Sequence, residues 1–221
     1  FSSSATVYST TKLNCPIKED SHLGDNITCP YGKTKFFSEE ILKDYYKVNP
    51  QSNIVLLRYF NPVANHSSGF IGELPPKYTE NLFPNLQEAY FKDKEFIING
   101  NDYNTKDGTP RRDFIHVLDL ADGHIASLKY MINKKNIYEP INLGRGESYS
   151  ILEIINKMNQ FLDKKIKFSF GKKREGDLPE TFSDPQKANN LLNWYAKKNI
   201  DDICIDLSKW IKYGYKKNVA F

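Results

Sequence analysis

Cysteine, histidine and long apolar runs are all scarce in this chain, and each shortage removes a class of function. Three cysteines (Cys15, Cys29, Cys204) stand among 221 residues. They cannot pair without leaving one over, and none has the short spacing of a zinc ligand pair, so free thiols in a reducing cytoplasm are expected. The four histidines (His22, His66, His116, His124) also lack metal-ligand spacing, and they read as structural or surface residues with no metal bound. No run of about 18 apolar residues occurs, so no membrane span is expected. No charged segment followed by an apolar stretch marks a secretory signal. A basic stripe interleaved with aromatics is missing as well. The net charge is +4, but its cations are scattered apart from groups such as Lys172-Lys173-Arg174. Such groups read as solvated surface, and nucleic-acid binding is not expected.

What is present is the patterning of a globular α/β protein, with 39% hydrophobic and 26% charged residues. Phe1 to Ser4 reads as the exit of a buried strand, and Ser9 to Cys29 as a long polar loop. Tyr31 to Val48 has helical periodicity through Phe37, Ile41, Leu42 and Tyr45. Asn53 to Tyr59 is a nearly continuous apolar run, as expected of a strand buried on both faces of a parallel sheet. Strand, helix, strand at this spacing indicates an α/β core. Further along, Asn61 to Pro76 and Asn101 to Asp113 read as loops. Short helices are expected from Leu82 to Tyr90, Leu118 to Met131, Pro185 to Leu192 and Asp201 to Tyr213. Strands are expected at Phe96 to Ile98, Ile141 to Leu143 and Lys165 to Phe170. Ser150 to Leu162 is amphipathic, with Ser150 and Glu153 spaced as a capping box.

The chemistry concentrates near the start. A serine-rich strand end (Ser2, Ser3, Ser4) is followed, after one loop, by Tyr31 and Lys35, one helical turn apart on one helix face. An ammonium beside a phenol favours the phenolate, and a phenolate is a usable base near neutral pH. A neighbouring hydroxyl can relay a substrate proton to it. The spacing is not distinctive by itself, because Tyr8/Lys12, Tyr90/Lys94, Tyr130/Lys134 and Tyr213/Lys217 share it. Context selects Tyr31/Lys35: the pair opens a helix between two buried strands, and both the helix start and the serine-rich strand end would face one crevice at the C-terminal sheet edge.

Several segments resemble, in order, the UDP-glucose 4-epimerase family, NAD-dependent enzymes of the extended short-chain dehydrogenase/reductase superfamily. They are Phe1 to Tyr8, Pro30 to Lys35, Leu57 to Pro62, Gly100 to Tyr103 with Asp107 to Thr109, Arg112 to His124, Asn142 to Gly144 and Arg174 to Asp177. The strings Arg58 to Pro62 and Arg112 to His124 carry the resemblance furthest. It implies the C-terminal part of a Rossmann-type parallel sheet plus a smaller mixed α/β substrate domain. Residues 1–61 and about 113–145 would be the remaining part of the NAD-binding domain, and 62–112 and 146–221 the UDP-sugar domain.

By the same resemblance, Tyr31 would be the base at the sugar 4-hydroxyl, Ser4 would bridge that hydroxyl and the phenol, and Lys35 would hold the nicotinamide ribose. Ser2, Ser3, Tyr59 and Phe60 would lie along bound NAD, which takes the C4 hydride and returns it to the other face of a 4-keto sugar. Asn61 and Asn81 would contact the sugar nucleotide, Arg112 and Arg174 would clamp the pyrophosphate, and Asp177 would accept from the uridine ribose. Asp113, His116 and Asp119 read as structural. A homodimer is implied, formed in part by the helix of Tyr31.

The chain departs from the family at Ser9, where glycine is usual, and at Phe114, where tyrosine is common. Thr181 occupies the place of a gate residue, and its small size predicts acceptance of UDP-N-acetylhexosamines as well. No Gly-x-x-Gly-x-x-Gly loop for the dinucleotide pyrophosphate occurs. The expectation is that several βαβ units of about 30 residues each should precede Ser4, and that the 221 residues alone neither bind NAD tightly nor catalyse. A 4,6-dehydratase would need an Asp-Glu pair where Ala5 and Thr6 stand. A related decarboxylase or uronate epimerase, or a non-catalytic nucleotide-sugar-binding remnant, stays open as an alternative.

Overall fold

The structure, a computed structural model, describes residues 1–11, 14–74 and 81–215. Lys12 and Lys217, members of two of the competing Tyr/Lys pairs, lie outside them, as does the end of the loop expected to run to Pro76. The chain begins with β1 (Ser2–Ser4) and a 3-10 turn (Ala5–Val7), then α1 (Pro30–Val48), β2 (Asn53–Tyr59), β3 (Asn61–Val63), α2 (Leu82–Phe91) and β4 (Phe96–Asn99). It continues through β5 (Arg111–Arg112), β6 (Phe114–His116), α3 (Val117–Ile132), β7 (Ile137–Leu143), β8 (Tyr149–Ser150) and α4 (Ile151–Met158). It closes with β9 (Phe168–Gly171), β10 (Glu180–Thr181), α5 (Gln186–Leu192), α6 (Ile200–Lys209) and a π-helical turn over Trp210–Tyr215.

The sheet that carries the site is parallel, in the order β1-β2-β7. Its register sets Ser4 level with Tyr59 and Tyr59 level with Leu143, so the three strands end together at one edge. The apolar run of β2 is buried as expected from Val55 to Leu57, and burial continues through Arg58. Val55, Leu57, Ile141 and Leu143 pack with Ile115 and Leu120, and α5 and Trp194 close the same core. β7 is longer than the expected Ile141 to Leu143; Glu139 and Pro140 interrupt the apolar pattern of its first half and hide it from a periodicity reading. Proline is tolerated there since β7 lies at an edge of the β1-β2-β7 sheet.

Helix α1 forms where its periodicity predicts, but Phe37, Ile41, Tyr45 and Val48 lie exposed. The face on the sheet instead contains Gly32 and Glu39, both buried. The stretch from Asn101 to Asp113, expected as loop, contains β5, whose two arginines pair with β8 and β10. A second core joins α4, α6 and the strands around β4 through Ile154, Ile155, Met158, Ile203 and Leu207. The capping box of α4 is formed: Glu153 N donates to Ser150 Oγ at 3.0 Å, and Ser150 N donates to the Glu153 carboxylate at 2.8 Å. The helix stops at Met158, short of Leu162.

Asp206 of α6 holds this half together. Its side chain is 4% exposed and takes Lys198 at 3.1 Å and Lys209 at 2.9 Å, with His116 Nε2 3.3 Å away. Burial pushes the Asp206 carboxyl up, but the two ammonium groups outweigh it and hold the carboxyl below its ordinary value. A carboxylate depressed in the folded state contributes stability above its unfolded value, about 3.9, and loses that contribution as pH falls through the folded value. We expect Asp206→Asn to cost about 2 kcal/mol at pH 7. The gap between variant and wild type should close below about pH 4, as read by urea unfolding across pH. Among the described residues no helix is long and apolar enough to cross a membrane.

Candidate active site

Ser4 ends β1, and its Oγ accepts from Thr6 N at 3.2 Å and from Thr6 Oγ1 at 3.1 Å. Both bonds use the serine oxygen as acceptor, which leaves its O–H to donate. Tyr31 sits in the first turn of α1, which is capped by Cys29 (Sγ accepting from Gly32 N at 3.3 Å) and opened by Pro30. A Cβ on residue 32 would stand 2.6 Å from Ile27 Cγ2 and 3.1 Å from the Thr6 carbonyl. Glycine at this position therefore lets the helix start approach the turn that follows Ser4. Ser4 and Tyr31 line one cleft of about 620 Å³ with Phe60, Asn61, Asn81 and Phe114, and Tyr31 is 54% exposed.

Lys35 lies one turn further along α1. Its Nζ donates to the Ser2 carbonyl at 2.8 Å and stands 5.5 Å from the Tyr31 ring centroid and 5.2 Å from that of Phe1. On the far side of the strand end, Tyr59 Oη bonds Ser2 Oγ at 2.6 Å and His124 Nε2, while His124 Nδ1 faces the Leu120 carbonyl at 2.8 Å. Burial pushes the Tyr59 phenol up, so it stays protonated near neutral pH. Phe60 is buried beside Tyr8 and Ile17. Ser3, the remaining serine of the strand, turns away from the cleft and donates to Glu39.

Asn61 joins the Ser4 cleft to two further hollows. One, about 230 Å³, contains Ser4, Tyr59, Arg112, Asp177 and Thr181. The other, about 280 Å³, contains Asn81, Arg112, Arg174 and Asp177. Asn61 is fixed by bonds from its backbone N (3.0 Å) and Nδ2 (3.1 Å) to the Asp113 carbonyl. Arg112 pairs with Asp177 and donates to the Leu178 carbonyl at 2.9 Å, and Tyr103 Oη donates to Asp177 at 3.3 Å. With its amide oxygen facing Arg174, Asn99 accepts from Arg174 Nε at 2.9 Å. The sequence-predicted residues from Ser4 to Thr181 thus line hollows that share Asn61, except Lys35, which stands beside them with Ser2. Ser3, expected along the cofactor, is instead buried under α1 because strand alternation turns its hydroxyl to Glu39.

Asp113, His116 and Asp119, expected to be structural, each accept hydrogen bonds from backbone groups. Asp113 accepts from Arg145 N, Gly146 N, Ser183 N and Ser183 Oγ. His116 Nδ1 accepts from Leu118 N at the start of α3, and Asp119 accepts from Lys198 N. Ser9 needs no glycine, since it is not among the residues with positive φ. Phe114 is buried edge-on against Phe83 at 5.6 Å. Among the described residues no group of three or more His, Cys, Asp or Glu side chains could hold a metal ion.

Sequence reasoning missed Glu39 and the work done by Arg58. Arg58 Nε and Nη2 donate to the Glu39 carboxylate at 3.0 and 2.7 Å, with both side chains 3% exposed. Arg58 Nη1 continues to Tyr8 Oη at 3.1 Å and the Glu19 carbonyl at 2.9 Å, and Tyr8 Oη donates to Asn142 Oδ1 at 2.6 Å. Two signals could have found this cluster: a charge inside an apolar strand, and an acid eight residues after Tyr31 on the same helix face.

The sequence profile of the NAD dependent epimerase/dehydratase family matches residues 1–144. The chain is 47% identical over 211 residues to a UDP-glucose 4-epimerase of Dictyostelium discoideum, covering 95% of this chain and 60% of that protein. It is 43% identical to one from Bacillus subtilis, covering 95% and 61%. Among solved structures, UDP-glucose 4-epimerase from Bifidobacterium longum in complex with NAD+ and UDP superposes with a TM-score of 0.88 at 41% identity, covering 99% of this chain and 63% of that one. The chain therefore spans about three fifths of the length of the relatives it matches. The α/β fold with its Rossmann-type parallel sheet is common to them.

Proposed function

The chain belongs to the NAD dependent epimerase/dehydratase family, and from that premise we propose that the whole protein interconverts UDP-glucose and UDP-galactose. The observation that carries this reading is the shared cleft of Ser4 and Tyr31, continuous through Asn61 with the groove of Arg112, Arg174 and Asp177. One end offers a hydroxyl and a phenol, with the Lys35 ammonium beside them on the Ser2 carbonyl. The other offers planar guanidinium donors suited to a diphosphate and a carboxylate suited to ribose hydroxyls.

Ser4 donates its O–H as a hydrogen bond to the sugar 4-oxygen, and the Tyr31 oxygen takes the 4-hydroxyl proton as the C4 carbon is oxidised. Arg112 and Arg174 hold the diphosphate while the hexose turns, so that the 4-keto sugar presents its other face. Tyr31 then returns that proton to the 4-oxygen, to which Ser4 stays hydrogen-bonded. NAD supplies the acceptor and donor for the C4 hydride, with no net redox change. The donor set fits its ribose–nicotinamide end: the Lys35 ammonium suits ribose hydroxyls, and Tyr59, Phe60 and Ser2 would stand along it, whereas Ser3, buried against Glu39, does not reach it. We place NAD binding in residues 1–61 and 113–145, to which the packing of α5 on the same core adds a flank. The UDP-sugar site would draw on 62–112 and 146–221. Coupled assay of the whole protein with UDP-galactose, reading UDP-glucose through its dehydrogenase, tests the reading: absence of turnover with NAD present refutes it.

The exposed stripe of Phe37, Ile41, Tyr45 and Val48 on α1 supports a homodimer through that helix, because burying it would remove apolar surface from water. Three unpaired thiols support a reducing, cytoplasmic setting. Thr181 is half-buried on β10 in the same hollow as Tyr59, Arg112 and Asp177. Its short side chain leaves room for an N-acetyl group, and a UDP-Glc/GlcNAc 4-epimerase of Campylobacter jejuni is 33% identical with a TM-score of 0.74. We expect UDP-N-acetylgalactosamine to be a substrate. Thr181→Tyr should cut its kcat/KM by about 100-fold while changing that for UDP-galactose by less than about threefold.

A further inference from the structure

Tyr31, Lys35 and Glu39 follow one another at four-residue steps, so they lie along one face of α1. The first two flank the end of β1. Glu39 lies a further turn down, about 12 Å along the axis from Tyr31, and makes no contact with the cleft. Its surroundings are unusual for a residue remote from the chemistry. Its carboxylate accepts from Ser3 Oγ on β1 and from Nε and Nη2 of Arg58 on β2. Its backbone carbonyl accepts from Tyr138 Oη on β7 at 3.3 Å. One residue of α1 thus touches each of the three parallel strands.

Arg58 is itself held by Tyr8 and the Glu19 carbonyl, and Tyr8 by Asn142 of β7. Ser3 and Ser4 are neighbours in an extended strand and point to opposite faces, one to Glu39 and the other to the cleft. A buried ion pair is a poor source of net stability compared with apolar side chains of the same volume. Its distinguishing property is directional: bidentate geometry fixes both the rotation and the axial position of the element that carries it.

We propose that the Glu39–Arg58 pair, with Ser3, is the positioning device that sets Tyr31 and Lys35 over Ser4. Neither residue touches the substrate, so both act through α1. The kinetic arm of the test rests on the epimerase reading, and the structural arm does not. In the whole protein, Glu39→Leu combined with Arg58→Met removes both charges at similar volume. The expected result is a folded protein with its unfolding midpoint near wild type, KM for UDP-galactose within about threefold, and kcat lowered about 30-fold or more. Glu39→Asp, which keeps the charge but shortens the reach, should lie between the two. If the double variant does not fold, Glu39→Asp carries the kinetic test, and an unchanged kcat overturns the proposal. A folded double variant with wild-type kcat overturns it equally. Crystal structures of wild type and variant give the second readout. Tyr31 and Lys35 unmoved relative to Ser4 and Ser2 would overturn the proposal even if the wild type shows no epimerase activity, whereas displaced side chains would support it.

Discussion

Tyr31→Phe in the whole protein should lower kcat for UDP-galactose epimerisation by about 10²–10⁴-fold, the range that a positioned proton-transfer group supplies, and leave KM nearly unchanged. The substitution deletes one oxygen from a ring that is half-exposed in the cleft and takes part in no buried polar network. Stability should therefore stay within about 0.5 kcal/mol of wild type, and a loss of turnover cannot be ascribed to unfolding. What remains is Ser4, whose oxygen already accepts twice from Thr6. With both lone pairs engaged, Ser4 can donate but is poorly placed to accept the substrate proton alone. The phenol is the group that completes the transfer. Steady-state kinetics with UDP-galactose at saturating NAD checks this, and full activity in the variant would remove Tyr31 from the mechanism.

The parts of this site that were legible in the sequence are those whose chemistry and local geometry coincide. Tyr31 and Lys35 needed only the helical repeat to be placed on one face, and the helix runs where its pattern put it. β2 was visible because a strand buried on both faces is apolar at nearly every position, and its register carries Tyr59 to the end of Ser4. The groove from Asn61 to Arg112 and Asp177 was reached through family resemblance, since these residues come from β3, β5 and the turn before β10, and no local pattern links them.

Other features were illegible for physical reasons. The apolar stripe of α1 reads like a core-facing stripe, yet in the chain it faces outward while a glycine and a glutamate face the sheet. Periodicity reports that a face is apolar, not what covers it. The first half of β7 was hidden because an edge strand tolerates Pro140 and Glu139 that a central strand would reject. The Glu39–Arg58 pair was invisible because its two halves lie 19 residues apart on a helix and a strand, and only the packing of one on the other makes them neighbours.

That pair sets the largest expected effect on stability. Arg58→Met alone should destabilise the protein by about 3–5 kcal/mol, because it strands the Glu39 carboxylate in the interior. Glu39 would keep the Ser3 hydroxyl but lose the two guanidinium donors at 3.0 and 2.7 Å, at a position where its side chain is 3% exposed and water cannot replace them. Tyr8 Oη and the Glu19 carbonyl would lose their donor in the same step. Burial already pushes the Tyr8 phenol up to about 12, so the hydroxyl stays protonated and cannot substitute a charge of its own. The double replacement removes the stranded carboxylate as well, and it should recover most of the loss. Guanidinium unfolding of the single and double variants measures both. The midpoint of Arg58→Met should fall with an unchanged slope, since the surface exposed on unfolding stays the same. If the single variant proves no less stable than the double, the carboxylate has found protonation or water, and the pair is not the desolvated contact that its geometry describes.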